Sequence, residues 1–292
     1  MELAFGEIAR NYEFACHFSF PVKFNQNIDM HSKYITLGIC LAGISAGYSF
    51  AQDVPKPPKM VPEMTEFWEP EVKTVATPEN AAPSDAVILF DGKNLNEWVS
   101  TNDPAKSAQW TVNNDGTFTV KKGTGNIQTK QSFLDYQIHI EWKVPSNITG
   151  KSQARGNSGL FLASTGKDND GYELQILDSY NNRTYANGQA GSIYKQSPPL
   201  RNATRKPGEW NVYDVIFTAP RFKDDGTLFS PARVTAIHNG VVVQNNTILQ
   251  GPTQYIGLPS YNKPHGKSPI KLQDHGDPSE AISFRNIWVR EL

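Results

Sequence analysis

Chemistry-bearing side chains cluster in two neighbouring stretches of this 292-residue chain. The first is Gly156-Asn157-Ser158-Gly159-Leu160-Phe161-Leu162, the second Gly171-Tyr172-Glu173-Leu174-Gln175-Ile176-Leu177-Asp178. In the second, a carboxylate and an amide alternate with apolar residues. Strand side chains point to opposite faces with period two, so Glu173 and Gln175 share one face and Leu174 and Ile176 the other. A polar face of this kind either lines a substrate cleft or faces water. A histidine, the usual proton carrier near neutral pH and a common metal ligand, stands in Gln273-Asp274-His275-Gly276 just before the final apolar run. A third candidate, Glu141, lies in Gln137–Val144, where Ile138, Ile140, Trp142 and Val144 take one face and Gln137, His139, Glu141 and Lys143 the other. Glu173 is therefore the first candidate base or metal ligand, His275 the candidate proton carrier or metal ligand, and Glu141 the third catalytic candidate. Arg155, Asn157, Gln175 and Gln273 are candidate binders of hydroxyl or carbonyl groups. Asp178 ends its strand and serves either as a turn cap or as a metal ligand.

Several chemistries are excluded. Both cysteines, Cys16 and Cys40, fall in the N-terminal segment, so residues 52–292 carry no disulfide, no thiolate nucleophile and no cysteine zinc site. There is no P-loop, dinucleotide fingerprint, Gly-x-Ser-x-Gly elbow or His-Glu-x-x-His helix, and so no organic cofactor is expected. With 28 Lys and Arg against 29 Asp and Glu and no basic stripe, nucleic acid is not an expected partner. Asp168-Asn169-Asp170-Gly171 looks like part of a calcium loop, but it lacks the distal glutamate, and a plain turn is the expectation. Of six tryptophans, Trp142 belongs to an apolar strand face; Trp98, Trp110 and Trp210 are unassigned by pattern.

The elements that must position these groups read as strands. Apolar or alternating runs occur at 87–90, 110–112, 118–120, 137–144, 158–163, 172–177, 211–218, 233–238, 241–247 and 281–290, with turn signals between them. No long stretch has helical periodicity. Many short strands at regular spacing predict an all-β sandwich or barrel over 86–292. The connection from Asn181 to Pro207 is long, which marks it as a functional loop. Residues 52–85 hold seven prolines and read as an extended linker, with Phe67 and Trp68 expected to pack as a strap. Met30-His31-Ser32-Lys33, the apolar run Tyr34–Phe50 and Ser49-Phe50-Ala51 describe a secretory leader, with residues 1–29 as an upstream extension. The run is too short and too rich in Gly and Ser for a membrane span. Export to the periplasm or beyond is the expected localisation.

An ordered set of short motifs carries a family resemblance. Leu89-Phe90-Asp91-Gly92-Lys93-Asn94-Leu95 with Trp98, Phe133–Lys143, Gly156-Asn157-Ser158-Gly159, Gly171–Asp178, Gly208-Glu209-Trp210-Asn211, Leu272-Gln273-Asp274-His275-Gly276 and Phe284-Arg285-Asn286-Ile287 follow one another as in the 3-keto-disaccharide hydrolase family, also called DUF1080. The chain resembles that family over about residues 86–292. One departure is His238-Asn239-Gly240, where family members often carry Trp or Leu before the Asn-Gly hairpin. The resemblance implies a concanavalin A-like jelly roll, a sandwich of two curved antiparallel sheets, acting on sugars already oxidised at C3.

A C3 ketone acidifies the C2 proton and places the glycosidic oxygen on C1 β to the carbonyl, from where it can leave by elimination. Such a site needs a base near C2, a group that stabilises negative charge at the C3 oxygen, and an acid for the leaving oxygen. A divalent ion such as Ca, Mn or Zn, held by Glu173 and His275, is a candidate for the second task. Two other functions share this fold: a non-catalytic, lectin-like carbohydrate-binding module and an ordinary two-carboxylate glycoside hydrolase. An acid and a histidine converging on one pocket would favour the lyase. A shallow tryptophan-lined groove would favour the binding module.

Overall fold

The structure is a computed structural model that describes residues 56–292. The leader, the upstream extension, Cys16 and Cys40 lie outside the described residues. The chain divides into two units, Met1–Trp68 and Glu69–Leu292. The described part of the first holds one 3-10 turn, Pro62–Thr65. There Phe67 and Trp68 are 92% and 83% exposed. The prolines around them withhold backbone donors and keep this stretch out of any sheet ladder.

The second unit is built from antiparallel strands: β1 (Val87–Phe90), β2 (Trp98–Ser100), β3 (Thr111–Val112), β4 (Phe118–Thr119), β5 (Ile127–Phe133), β6 (Tyr136–Lys143), β7 (Asn157–Ser164), β8 (Gly171–Leu177), β9 (Trp210–Thr218), β10 (Arg221–Phe222), β11 (Leu228–Ser230), β12 (Arg233–His238), β13 (Val241–Ile248), β14 (Ser268–Leu272) and β15 (Ser283–Glu291). Eight strands form a large sheet in the order β13-β12-β9-β6-β15-β4-β3, with β1 also pairing β15, and five form a small sheet in the order β2-β5-β14-β7-β8. Strands β10 and β11 make a separate hairpin across the Asp224-Asp225-Gly226 turn. Among the described residues there is no α-helix. This is the two-sheet jelly-roll sandwich expected from the sequence.

Alternation explains the packing. The inward residues of β6 (Ile138, Ile140, Trp142), β9 (Tyr213, Val215) and β15 (Phe284, Ile287, Val289) are fully buried and join one core with Leu160, Leu162, Leu174, Ile176, Ile270 and Leu272 of the small sheet. Each such side chain contributes roughly 1.5–3 kcal/mol by leaving water. Trp98 and Trp110 belong to this core as well. Strands β7 and β8 depart from alternation, because every residue in both is buried. Their outward face is covered although it is polar. The long loop supplies the cover: Gln175 N–H donates to Ser192 O at 2.9 Å, Gly191 N–H to Gln175 O at 3.0 Å and Tyr194 N–H to Glu173 O at 3.1 Å, which attaches the loop to the free edge of β8. Thr253 N–H adds a bond to Gly171 O at 2.7 Å.

Three small-sheet strands, β2, β5 and β14, are not evident from the pattern. β5 carries the polar run Gln128-Thr129-Lys130-Gln131-Ser132, and β14 contains Pro269, which argues against an interior strand. The register resolves the second case. Pro269 faces Ser132 of β5, whereas β14 meets β7 only at Lys271 and Leu272, so the missing N–H costs no ladder bond to β7.

Candidate functional site

The outward face of the small sheet presents three rows of side chains. Lys271 of β14 lies opposite Phe161 of β7, which lies opposite Glu173 of β8. Two residues along, Gln273 N–H bonds Gly159 O at 3.1 Å and Gly159 pairs with Gln175. Two further along stand His275 and Asn157, whose Nδ2 and the His275 Nε2 are 3.2 Å apart. The period of two that sets the face in one strand therefore sets it in three.

Glu173 is 4% exposed, and no hydrogen bond among the described residues reaches its carboxylate. Burial pushes its pKa up to about 8, with the Lys271 cation acting in the opposite direction. The carboxylate lies over Gly159, where an added Cβ would stand 2.6 Å from Oε1. Lys271 is fully buried. Its ammonium donates to Asp168 O at 2.9 Å and Asp170 O at 2.8 Å and sits 4.6 Å above the Phe161 ring. Burial lowers the Lys271 pKa to about 8, while Asp170, Glu173 and Asp168 hold it up. Asp168–Gly171 is thus a turn, as expected, and the cation against its carbonyls is a lysine.

His275 is oriented from below. Its Nδ1 is 3.3 Å from the Asp277 carboxylate, which also accepts from Ser279 N–H at 2.9 Å. Burial alone would raise Asp277, but His275, Ser279 and Lys122 outweigh it and hold the pKa at about 2. With Nδ1–H donated to Asp277, the imidazole Nε2 faces Asn157 with its lone pair. Around the same pocket, three buried amide oxygens have no partner among the described residues: Asn157 Oδ1, Gln175 Oε1 and Gln273 Oε1. Their amide nitrogens are engaged, by Gln153 O at 2.8 Å, Gln153 Oε1 at 3.0 Å and Asn169 Oδ1 at 3.0 Å respectively. Buried acceptors left open in this way call for donors or a cation from a ligand. Tyr194, Thr253 and Tyr255 close the remaining sides of a pocket of about 130 Å³ that also contains Glu173 and His275.

Four of the binding or catalytic candidates, Asn157, Glu173, Gln175 and Gln273, thus share one pocket with His275. Two candidates do not reach it. Glu141 lies on the outward face of the large sheet, where it accepts from Arg285 Nε at 2.6 Å and Asn286 Nδ2 at 2.9 Å. Burial would raise it, but His139, Asn286 and Arg285 together lower its pKa to about 2, so it is a fixed anion. Arg155 is held 2.7 Å from Asp178 in an ion pair, which occupies both residues structurally. Sequence reasoning missed Lys271, Tyr194 and Tyr255. Lys271 had an available signal, its same-face spacing from Gln273, whereas the tyrosines lie in loops without period. Trp210 stacks under Lys143 and Arg285 on the large sheet, and no tryptophan lines the pocket.

Among the described residues no three His, Cys, Asp or Glu side chains converge as a metal cluster. What converges is one carboxylate, one imidazole and three amide oxygens. This oxygen-rich set suits a hard divalent cation of the Ca or Mn type better than Zn.

The sequence pattern of the 3-keto-alpha-glucoside-1,2-lyase-like domain matches residues 85–290. A solved structure from Parabacteroides distasonis ATCC 8503, provisionally named a glycosyl hydrolase, is 57% identical, with a TM-score of 0.74 over 80% of this chain and 97% of that one. Two further structures from the same organism under the same provisional name are 20% and 23% identical, each with a TM-score of 0.49 over 71% of this chain and covering 94% and 99% of their own. No curated protein matches the chain.

Proposed function

The chain belongs to the 3-keto-alpha-glucoside-1,2-lyase-like family of carbohydrate-active proteins, and from that premise we propose that it is an enzyme cleaving 3-keto-glycosides by β-elimination. The observation that carries the reading is Glu173: one buried carboxylate with a raised pKa, the only carboxylate among the residues lining the pocket. A carboxylate in that state is a stronger base than usual, which suits removal of a carbon-bound proton acidified by a ketone. In this scheme Glu173 takes the C2 proton, the C2–H electrons form the C2=C3 bond of an enediolate, and their return expels the C1 oxygen to leave a C1=C2 enone. His275, oriented by Asp277, accepts from a ring hydroxyl through Nε2. The free oxygens of Asn157, Gln175 and Gln273 accept from ring hydroxyls and fix which face meets Glu173.

The same Glu173, His275 and amide oxygens would hold a hard divalent cation, whose chemistry there is electrostatic stabilisation of an oxyanion. A two-carboxylate mechanism lacks its second acid in this pocket, since the pair must stand about 5–10 Å apart. A lectin-like reading lacks the tryptophan platform. The apolar run Tyr34–Phe50 supports an exported enzyme, working in the periplasm or outside the cell.

The test compares a 3-keto-glucoside with its unoxidised parent, with and without chelator. Turnover confined to the oxidised sugar, with appearance of an enone absorbance, is expected. Equal rates on both would overturn the elimination, because the parent has no acidified C2–H.

A further inference from the structure

Elimination needs an acid for the departing oxygen, and none of the groups assigned so far supplies it. Glu173 receives a proton in that step. His275 donates Nδ1–H to Asp277 and offers a lone pair at Nε2. The amides and Thr253 are too weakly acidic, which leaves the phenols of Tyr194 and Tyr255. Tyr255 is 72% exposed. Tyr194 is fixed: its N–H bonds Glu173 O at 3.1 Å, and Ile193 before it forms a bridge with Leu174 of β8. The acid candidate is therefore tied to the strand that carries the base. We propose that Tyr194 is the catalytic acid that protonates the leaving glycosidic oxygen, and that Tyr185 reloads it from solvent.

The hydroxyl pair supports this assignment. Tyr194 Oη and Tyr185 Oη are 2.6 Å apart at the rim of the pocket that Tyr194 lines, and Tyr185 is 37% exposed, so the two hydroxyls form one pair in contact with water. Lys195 Nζ lies 4.4 Å from the Tyr185 ring centroid and 6.0 Å from that of Tyr194. A cation there stabilises the phenolate formed when the proton leaves. Lys195 is held in the left-handed region at φ 63°, its N–H bonded to Asn187 O at 2.9 Å. The step balances: as C1–O breaks, its electron pair takes the Tyr194 proton to give the free alcohol. Tyr194 phenolate then takes the Tyr185 proton, and Tyr185 takes one from water. Water is left as hydroxide, which is neutralised when Glu173 gives the C2 proton up to solvent, so the net result is release of alcohol and enone with both Glu173 and Tyr194 restored.

The assignment rests on the lyase reading, and its test separates the two. Wild type, Tyr194→Phe and Tyr185→Phe are assayed on two 3-keto-glucosides, one releasing 4-nitrophenol and one releasing methanol. A good leaving group departs as an anion and needs no acid, whereas methoxide does. Tyr194→Phe is expected to lose about 10²–10⁴-fold in kcat on the methyl substrate and less than about tenfold on the nitrophenyl one. Tyr185→Phe, which leaves the pocket lining intact, should show the same selectivity at smaller amplitude. Equal losses on both substrates in either variant, or no loss on the methyl substrate, overturn the acid assignment while the lyase stands. A wild-type chain inert toward both substrates overturns the lyase reading and this assignment with it.

Discussion

At the scale of single residues, the ionisation of Glu173 decides both rate and stability. Its carboxyl is raised from 4.5 to about 8 by burial, and only the ionised form can accept a C2 proton. The free enzyme's kcat/KM should therefore climb with pH and level off above about 8. Stability should run the other way. The folded state keeps a proton that the unfolded chain releases above pH 4.5, so the favourable contribution is complete below 4.5 and is lost as pH rises through 8. Glu173→Gln keeps the shape and cannot ionise. It is expected to lower kcat/KM by at least about 10²-fold. Its Tm should equal wild type near pH 5 and exceed it near pH 9. A variant less stable than wild type at pH 9 would show that the Lys271 cation, not burial, governs this acid. The pocket groups on alternating strands and in the His275 loop were legible in the sequence because period two sorts faces locally. Glu141 carries the same alternating signal, yet the fold places it on the other sheet, away from the pocket. Its fate depends on Arg285 and Asn286, which are 144 and 145 positions away and adjacent only across the sheet.

Elements decide where that carboxylate points. β7 runs between β14 and β8, and its outward side chains are Asn157, Gly159 and Phe161, so a gap opens at the centre of the face. Glu173 fills the gap, with Oε1 where a Cβ on residue 159 would come to 2.6 Å. Gly159→Ala should leave the strand intact, since the glycine has ordinary extended backbone, and displace the flexible end of Glu173 instead. The expected result is a loss of kcat of about tenfold or more with Tm changed by only a few degrees. Unfolding of the variant would mean that the backbone, not the side chain, gives way. This arrangement was half visible in advance. The Gly156–Gly159 motif and β8 could be read, but β14 could not, because Pro269 and a five-residue length hide it. The row Lys271–Phe161–Glu173 therefore appeared only with the register.

For the sandwich as a whole, the question is what couples the large sheet to the polar face it does not touch. Two buried tyrosines reach across the core: Tyr136 Oη donates to Leu162 O of β7 at 2.5 Å, and Tyr213 Oη to Gln175 O of β8 at 2.8 Å. Tyr213 is itself wedged against His238, with ring centroids 4.7 Å apart, and Trp142 at 5.5 Å, so its hydroxyl is delivered from a rigid aromatic cluster. Gln175 is the residue whose side-chain oxygen stands open in the pocket, and its main-chain carbonyl is the point where the core holds the strand. Tyr213→Phe keeps the ring and removes only that tether. The carbonyl retains Gly191 N–H at 3.0 Å, so no buried acceptor is orphaned, and the stability loss should stay near 1 kcal/mol in denaturant titration. The functional loss should fall on KM more than on kcat, because the tether positions a hydroxyl-binding amide rather than the base. A kcat collapse comparable to that of Glu173→Gln would instead place Tyr213 in control of the carboxylate itself, and the division between binding row and base row would have to be redrawn.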